Sequence, residues 1–155
     1  MVFFCLIFSG ISSAVKMRER VRILVSLSIA VQNMKRELAF SMPALAELFG
    51  CGNCDITDII KTNIQNGKTP RDSLSQAFGT YNVKRLLTVG ERDFLTNILS
   101  DMGNGDCDNA VQILDEVQDR LKIYIDSAEE NERKNAKIHL IISFYAGVAV
   151  VIMFL

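Results

Sequence analysis

The apolar residues of this chain are concentrated at its two ends. Residues 1–15 and 138–155 contain no Asp, Glu, Lys or Arg, whereas charged residues occur throughout the stretch between them. At about 1.5 Å per helical residue, the segment 138–155 reaches about 27 Å, close to the ~30 Å thickness of the hydrocarbon layer of a membrane. The pattern therefore predicts a C-terminal transmembrane helix.

The N-terminal apolar segment is shorter and reaches only about 21 Å as a helix. A signal peptide is the alternative, but such a peptide carries positive charge before its apolar run. Here the first positive residue, Lys16, follows the run. We therefore expect residues 1–15 to form a short membrane anchor.

Basic residues stand on the inner flank of each apolar segment, namely Lys16, Arg18, Arg20 and Arg22 after the first and Arg133, Lys134 and Lys137 before the second. Because positively charged flanks stay on the cytoplasmic side of a membrane, the middle of the chain is expected in the cytoplasm. The predicted organisation is a membrane segment at 1–15, a cytoplasmic domain at 16–137 and a membrane helix at 138–155.

Two long helices are predicted within the middle. Residues 17–40 lack Gly and Pro, and one apolar stripe recurs at three- and four-residue spacing, formed by Leu24, Leu27, Val31, Met34 and Leu38. A second helix is expected to begin after a cap at Asp106 and to continue into the C-terminal segment over about 70 Å. Its buried stripe is predicted to contain Val111, Leu114, Val117, Leu121, Ile125 and Ala128.

Short helices are predicted between the two long ones. Their expected N-caps are Ser41 before Pro43, Asp55, Thr69 before Pro70, and Thr88 with Glu91 as a capping box. Their expected apolar positions include Leu48, Phe49, Ile56, Ile59, Ile60, Ile64, Phe94, Leu95, Ile98 and Leu99. Since no segment alternates as a strand does, the predicted fold class is all-α, an antiparallel bundle whose longest helices enter the membrane.

Charge and motif content favour a protein that is not an enzyme. The chain has 17 basic and 18 acidic residues and a formal net charge of −1, which gives no strong field for nucleic acid. It has no P-loop motif, and its single histidine, His139, leaves no second imidazole for a metal or nucleophile arrangement. We expect no catalytic residues and no cofactor.

The motif Cys51-Gly52-Asn53-Cys54 is the one with chemical potential, because two thiols at this spacing can bind zinc or exchange disulfides. A zinc site needs about four ligands, and a redox site normally accompanies a βαβ pattern. Both requirements are unmet in the sequence. The motif is therefore predicted to be an interhelical turn with reduced thiols rather than a metal site.

Two other features have more than one interpretation. His139 is expected at the headgroup interface rather than on a proton path, because few polar residues accompany it. The charged run at 126–135 is either a docking patch or the solvated part of a long helix, with Glu129–Arg133 and Glu130–Lys134 as four-residue pairs.

The layout resembles the stage III sporulation protein AB family. The resemblance lies in Glu19-Arg20-Val21-Arg22, in the segment 37–45 (ELAFSMPAL), and in the segment 128–137 (AEENERKNAK) followed by the apolar stretch 138–155. It covers most of the chain.

The resemblance implies a membrane component of the mother-cell machinery that builds a channel across the double membrane around a forespore. That family is similar to platform protein F of type II secretion and type IV pilus systems, which implies a secretion-type ATPase and other channel proteins as partners. A homo-oligomer is also possible on this view. The alternatives are a pilus or secretion platform, a general membrane adaptor, or a thiol or metal protein using Cys51 and Cys54.

Overall fold

The structure is a computed structural model. It describes the backbone at residues 2–41, 43–103 and 107–154, and the side chains at residues 16–41, 43–80, 82–102, 108–134, 138 and 142. Every element in these ranges is helical: α1 (Val2–Phe40), α2 (Leu45–Gly50), α3 (Asp55–Gln65), α4 (Pro70–Gly79), α5 (Tyr81–Leu86), α6 (Val89–Ser100), a 3₁₀ turn (Asp101–Gly103) and α7 (Cys107–Phe154). The all-α prediction is confirmed.

The two long helices α1 and α7 pack against each other over much of their length and run in opposite directions. Arg18 of α1 contacts Glu132 of α7, and further along α1 Lys35 contacts Asp115. The two α1 residues are separated by the same number of positions as the two α7 residues. The pairing is therefore antiparallel and keeps one register between these contacts.

The core lies between this helix pair and the short helices. From α1 it takes the predicted stripe, with Leu24, Leu27, Val31 and Met34 buried and Leu38 packed at its edge. From α7 it takes Leu114, Val117 and Leu121, none of which is exposed at all. The short helices pack on the pair: α3 contacts α2 and α4, α4 contacts α6, α5 rests on α1, and α6 contacts α7.

Two of the predicted helix starts are confirmed. The Thr69 hydroxyl accepts a hydrogen bond from the backbone N–H of Asp72 at 3.2 Å, with Pro70 as the first residue of α4. At α6, Thr88 accepts from the N–H of Glu91 at 3.3 Å, and the Glu91 carboxylate accepts from the N–H of Thr88 at 2.7 Å. This reciprocal pair is the capping box predicted from the sequence.

The other two predicted caps are wrong. Ser41 closes the end of α1, because its N–H donates to the carbonyl oxygen of Glu37 at 2.9 Å. Helix α2 begins after Ala44, which provides no side-chain cap. Asp55 is the first residue of α3 rather than its cap, and Cys54 holds the cap position with Thr57 as its capping-box partner.

Two further details differ from the sequence prediction. Helix α5 was not predicted, since its six residues lack a side-chain cap. The sequence pattern predicts Ile59 on the buried side of α3, but its neighbours Ile56 and Ile60 fill that side and Ile59 remains 37% exposed.

Helix α7 is one uninterrupted element of 48 residues, as predicted. Among the residues described, no helix is long and apolar enough to cross a membrane. The predicted cap Asp106, the side chains of 1–15 and nearly all those of 138–155 lie outside the described residues. The two membrane segments therefore stay predictions.

Candidate functional site

The Cys51–Cys54 segment forms the tight turn between α2 and α3. The Cys51 thiol donates to the carbonyl oxygen of Glu47 at 3.3 Å, at the end of α2. The Thr57 hydroxyl lies 3.4 Å from the Cys54 sulfur and 2.9 Å from the Cys54 carbonyl oxygen, and it accepts from the Cys54 N–H at 3.2 Å. Each cysteine is thus engaged by its own helix end.

The two residues between the cysteines explain the shape of this turn. Asn53 has a φ of 51°, the left-handed conformation that asparagine tolerates better than most residues. A Cβ at Gly52 would lie 2.7 Å from the Thr57 methyl group, so the close approach requires glycine. Within the described part of the chain, no group of three His, Cys, Asp or Glu side chains could hold a metal ion.

A partly buried ion pair joins α1 to α6. Arg20 donates through Nη2 to Oε1 of Glu91 at 2.6 Å, and the two side chains are 27% and 6% exposed. Since the other oxygen of Glu91 caps α6, one carboxylate closes the capping box and fastens α6 to α1. The Nε atom of Arg20 is buried without a hydrogen-bond partner among the described residues.

An aromatic and cationic cluster joins α6 to α7. The ring of Phe94 meets that of Tyr124 edge to face, with 6.4 Å between centroids and 86° between planes. The Arg120 guanidinium lies 5.6 Å from the centroid of Phe94, within the range of a cation–π contact. Together these contacts hold the side of α6 that carries Phe94 against α7.

A hollow of about 680 Å³ opens between α1, α3 and α5. Charged and apolar side chains line it together, among them Glu19, Arg22, Ile23, Asp55, Ile56, Ile59, Val83 and Arg85. Arg85 and Glu19 approach to 3.8 Å. The hollow therefore carries both cations and carboxylates, which suits contact with a protein surface better than with a small apolar ligand.

The described part of the charged run, residues 126–134, is mainly an exposed surface of α7. Lys134 contacts Glu130 at 2.8 Å, and this contact lowers the pKa of Glu130 through a hydrogen bond and through the positive charge of Lys134. Among the described side chains the other predicted pair, Glu129–Arg133, does not form. Glu132 turns to α1 instead, where it accepts from Arg18 at 3.1 Å.

Sequence reasoning found the capping role of Glu91 but not its partner Arg20, which lies 71 positions away. It also missed the hollow, because nothing local marks α5 or the outward position of Ile59. The remaining candidate, His139, has its side chain outside the described residues.

Comparison with known families matches residues 1–155 to the model of stage III sporulation protein AB. The chain belongs to the stage III sporulation protein AB family. No curated protein and no solved structure matches the chain. Family membership assigns the chain a role in sporulation. The structure of this member contains the helix pair α1–α7 and the short helices around it.

Proposed function

We propose that this chain is a non-enzymatic membrane platform of a secretion-like channel complex needed for endospore formation. In this proposal the bundle lies on the cytosolic side of the mother cell and docks a secretion-type ATPase there. Membership of the sporulation family supports a role in endospore formation. The channel and the ATPase as partners rest on the likeness of that family to platform protein F, which is an expectation from the sequence.

One structural observation carries the proposal: α7 runs without a break from the core of the bundle to Phe154. Leu114, Val117 and Leu121 seat this helix in the core, and the same helix continues into the apolar segment 138–155. A continuous helix is a stiff rod of about 70 Å. Any tilt of the bundle is therefore passed to the apolar segment.

The contacts between α1 and α7 support the same role. Arg18 and Glu132 join the two helices at the end of the bundle that faces the apolar segments. Like α7, α1 continues into an apolar segment. A partner that moves the bundle therefore moves the two adjoining helices α1 and α7 together. Transmission of this kind requires a rigid element with a defined position at both ends.

The proposal predicts that stiffness of α7 beyond the core is essential. A Gly-Gly-Ser insertion after Lys134 breaks the helix outside the core. It leaves in place the contact of Arg18 with Glu132 and the contact of Lys35 with Asp115. We expect normal amounts of protein in the membrane fraction and a strong loss of heat-resistant spores. A helical insertion of about two turns at the same place keeps both stiffness and rotational phase and should preserve spore formation.

A second control places the Gly-Gly-Ser insertion after Lys68. This residue is exposed in the loop between α3 and α4, where Gly67 has a φ of 81°. Loops tolerate such insertions, so the variant should sporulate normally. Normal sporulation of the Lys134 hinge variant, with the protein still at the membrane, would show that rigid transmission is wrong.

The alternative of a thiol or metal protein receives no support from the geometry of the turn, since Cys51 and Cys54 are accounted for as helix-end residues. A general adaptor would share the fold but recruit a different enzyme. Capture of a secretion-type ATPase with the chain from solubilised membranes supports the platform, and reproducible capture of an unrelated enzyme instead supports the adaptor.

A further inference from the structure

One face of α1 is turned away from the core and carries a regular row of exposed residues, which we name the α1 stripe. It consists of Arg18, Arg22, Val25, Ile29, Gln32, Arg36 and Phe40. At about 100° per residue, these positions fall within a narrow sector opposite the buried stripe of the same helix. The α1 stripe follows the three- and four-residue spacing of a helix-packing seam.

The apolar members of the α1 stripe are exposed to solvent. Val25 is 37% exposed, Ile29 52% and Phe40 84%. Beside Val25 and Ile29 lies an open hollow of about 450 Å³, whose wall also includes Val21. No element in the described part of the chain covers this surface.

The charges of the α1 stripe are of one sign. Its three charged members are arginines, and it contains no carboxylate. Arg18 is held by Glu132 of α7, whereas Arg22 and Arg36 make no ion pair with any described residue. Two guanidinium groups therefore bracket the apolar pair Val25 and Ile29 and remain available to a partner.

This distribution decides between possible occupants. A second copy packed through the same face would bring arginines against arginines. In a parallel pair Arg22 would meet Arg22 of the other copy, and in an antiparallel pair Arg22 would meet Arg36. A membrane-surface helix places a broad apolar face in the lipid and its cations along the polar side. Here the arginines lie on the same line as the apolar residues, before and after them along the helix, so no separate polar side carries the cations.

We propose that the α1 stripe docks an amphipathic helix of another protein, whose apolar seam is flanked by carboxylates. Val25 and Ile29 would pack in the seam, and Arg22 and Arg36 would pair with carboxylates at its two ends. Arginine suits this role because its planar guanidinium binds carboxylates in a bidentate manner. The inference goes beyond the platform proposal and holds whether or not the partner is a secretion-type ATPase.

The test uses the full chain in detergent micelles and two synthetic helical peptides as probes. Both peptides carry the same leucine seam, but one is flanked by glutamates and the other by lysines. We expect the wild-type chain to bind the glutamate peptide at least about tenfold more tightly than the lysine peptide. Fluorescence anisotropy measures both affinities.

Charge reversal provides the decisive variant. Arg22→Glu combined with Arg36→Glu should reverse the preference, so that the lysine peptide binds about tenfold more tightly than the glutamate peptide. Ile29→Glu should weaken binding of the glutamate peptide, because it removes an apolar contact and adds a repelling charge. The matched control is Ile123→Glu on α7, which alters an equally exposed isoleucine, 57% against 52%, outside the α1 stripe and should change neither affinity.

Several results would overturn the inference. These are equal affinity for the two peptides, no binding of either, or a preference that survives the double charge reversal. If the chain binds anionic lipid vesicles and the glutamate peptide does not displace them, the surface belongs to lipid. If the chain self-associates and Ile29→Glu abolishes this self-association, the surface belongs to a second copy. The hinge variant at Lys134 leaves the α1 stripe intact, so failure of the platform proposal is distinguishable from failure here.

Discussion

The guanidinium of Arg20 and the carboxylate of Glu91 lie 2.6 Å apart, and the same carboxylate caps α6. One acidic side chain therefore serves both a local helix start and a contact between distant helices. Because Glu91 is only 6% exposed, loss of Arg20 would leave its carboxylate away from water without a cationic partner.

This arrangement predicts unequal effects of two nearby arginines. Arg20→Ala leaves Glu91 buried and unpaired and should lower the free energy of unfolding by about 3 kcal/mol. Arg18→Ala removes the contact with Glu132 but should cost less than about 1 kcal/mol, since Arg18 is 78% exposed. Urea unfolding of the detergent-solubilised chain measures both, and equal losses would contradict the assignment.

The coupling itself is measurable with Glu91 variants. Glu91→Gln retains an acceptor for the cap and loses the charge, whereas Glu91→Ala loses both, so the alanine variant should be the less stable. A double-mutant cycle between Arg20→Ala and Glu91→Ala should give a coupling of at least about 1 kcal/mol, and strict additivity would show that the pair does not act as a unit.

The core stripe of α7 gives a second prediction. Leu114 is fully buried, so Leu114→Ala should cost about 3 kcal/mol through lost burial and the cavity that remains. Ile123 is on the same helix and 57% exposed, and Ile123→Ala should stay within about 0.5 kcal/mol of the wild type. Similar losses in urea unfolding would place the buried face of α7 elsewhere.

The cysteine turn gives a third prediction. Replacing Cys51 and Cys54 together by Ser should preserve both the fold and spore formation, because a serine hydroxyl can accept and donate at the same helix ends. Spore counts and immunoblots of the variant test this. Loss of spores with normal protein levels would instead indicate that the thiols have a chemical role.

The fourth prediction concerns pH. Since Lys134 lowers the pKa of Glu130, the pair contributes at neutral pH and is lost as the pH falls through that lowered pKa. Lys134→Gln should raise the pKa of Glu130 back towards its ordinary value, as measured by NMR titration of the carboxyl carbon. Arg133→Gln is the control and should leave it unchanged; a shift of equal size would mean that general charge, not the contact with Lys134, lowers the pKa.

The parts of the fold that follow from local patterns were predictable. The long stripes of α1 and α7 appear in the sequence as three- and four-residue spacing, and the caps at Thr69 and Thr88 depend only on residues within one turn. Asp55 shows the limit of such rules, because Cys54 directly before it takes the cap with Thr57. Local preference alone does not decide between two adjacent candidates.

What could not be predicted depends on residues far apart in the chain. Nothing near Arg20 indicates that Glu91 will meet it, and the hollow between α1, α3 and α5 exists only once three separate helices are assembled. The α1 stripe is intermediate: its spacing is present in the sequence, but its exposure becomes evident only when the opposite face of α1 is seen to fill the core.

The antiparallel pairing of α1 with α7 has a consequence for synthesis on the ribosome. The buried stripe of the first helix is covered mainly by the last helix, so α1 leaves the ribosome long before its chief partner exists. Contacts between such distant segments form slowly because a long loop must close first. Until then the short helices provide only part of the cover that Leu24, Val31 and Met34 need, and a nascent chain interrupted before α7 would present them to chaperones and proteases.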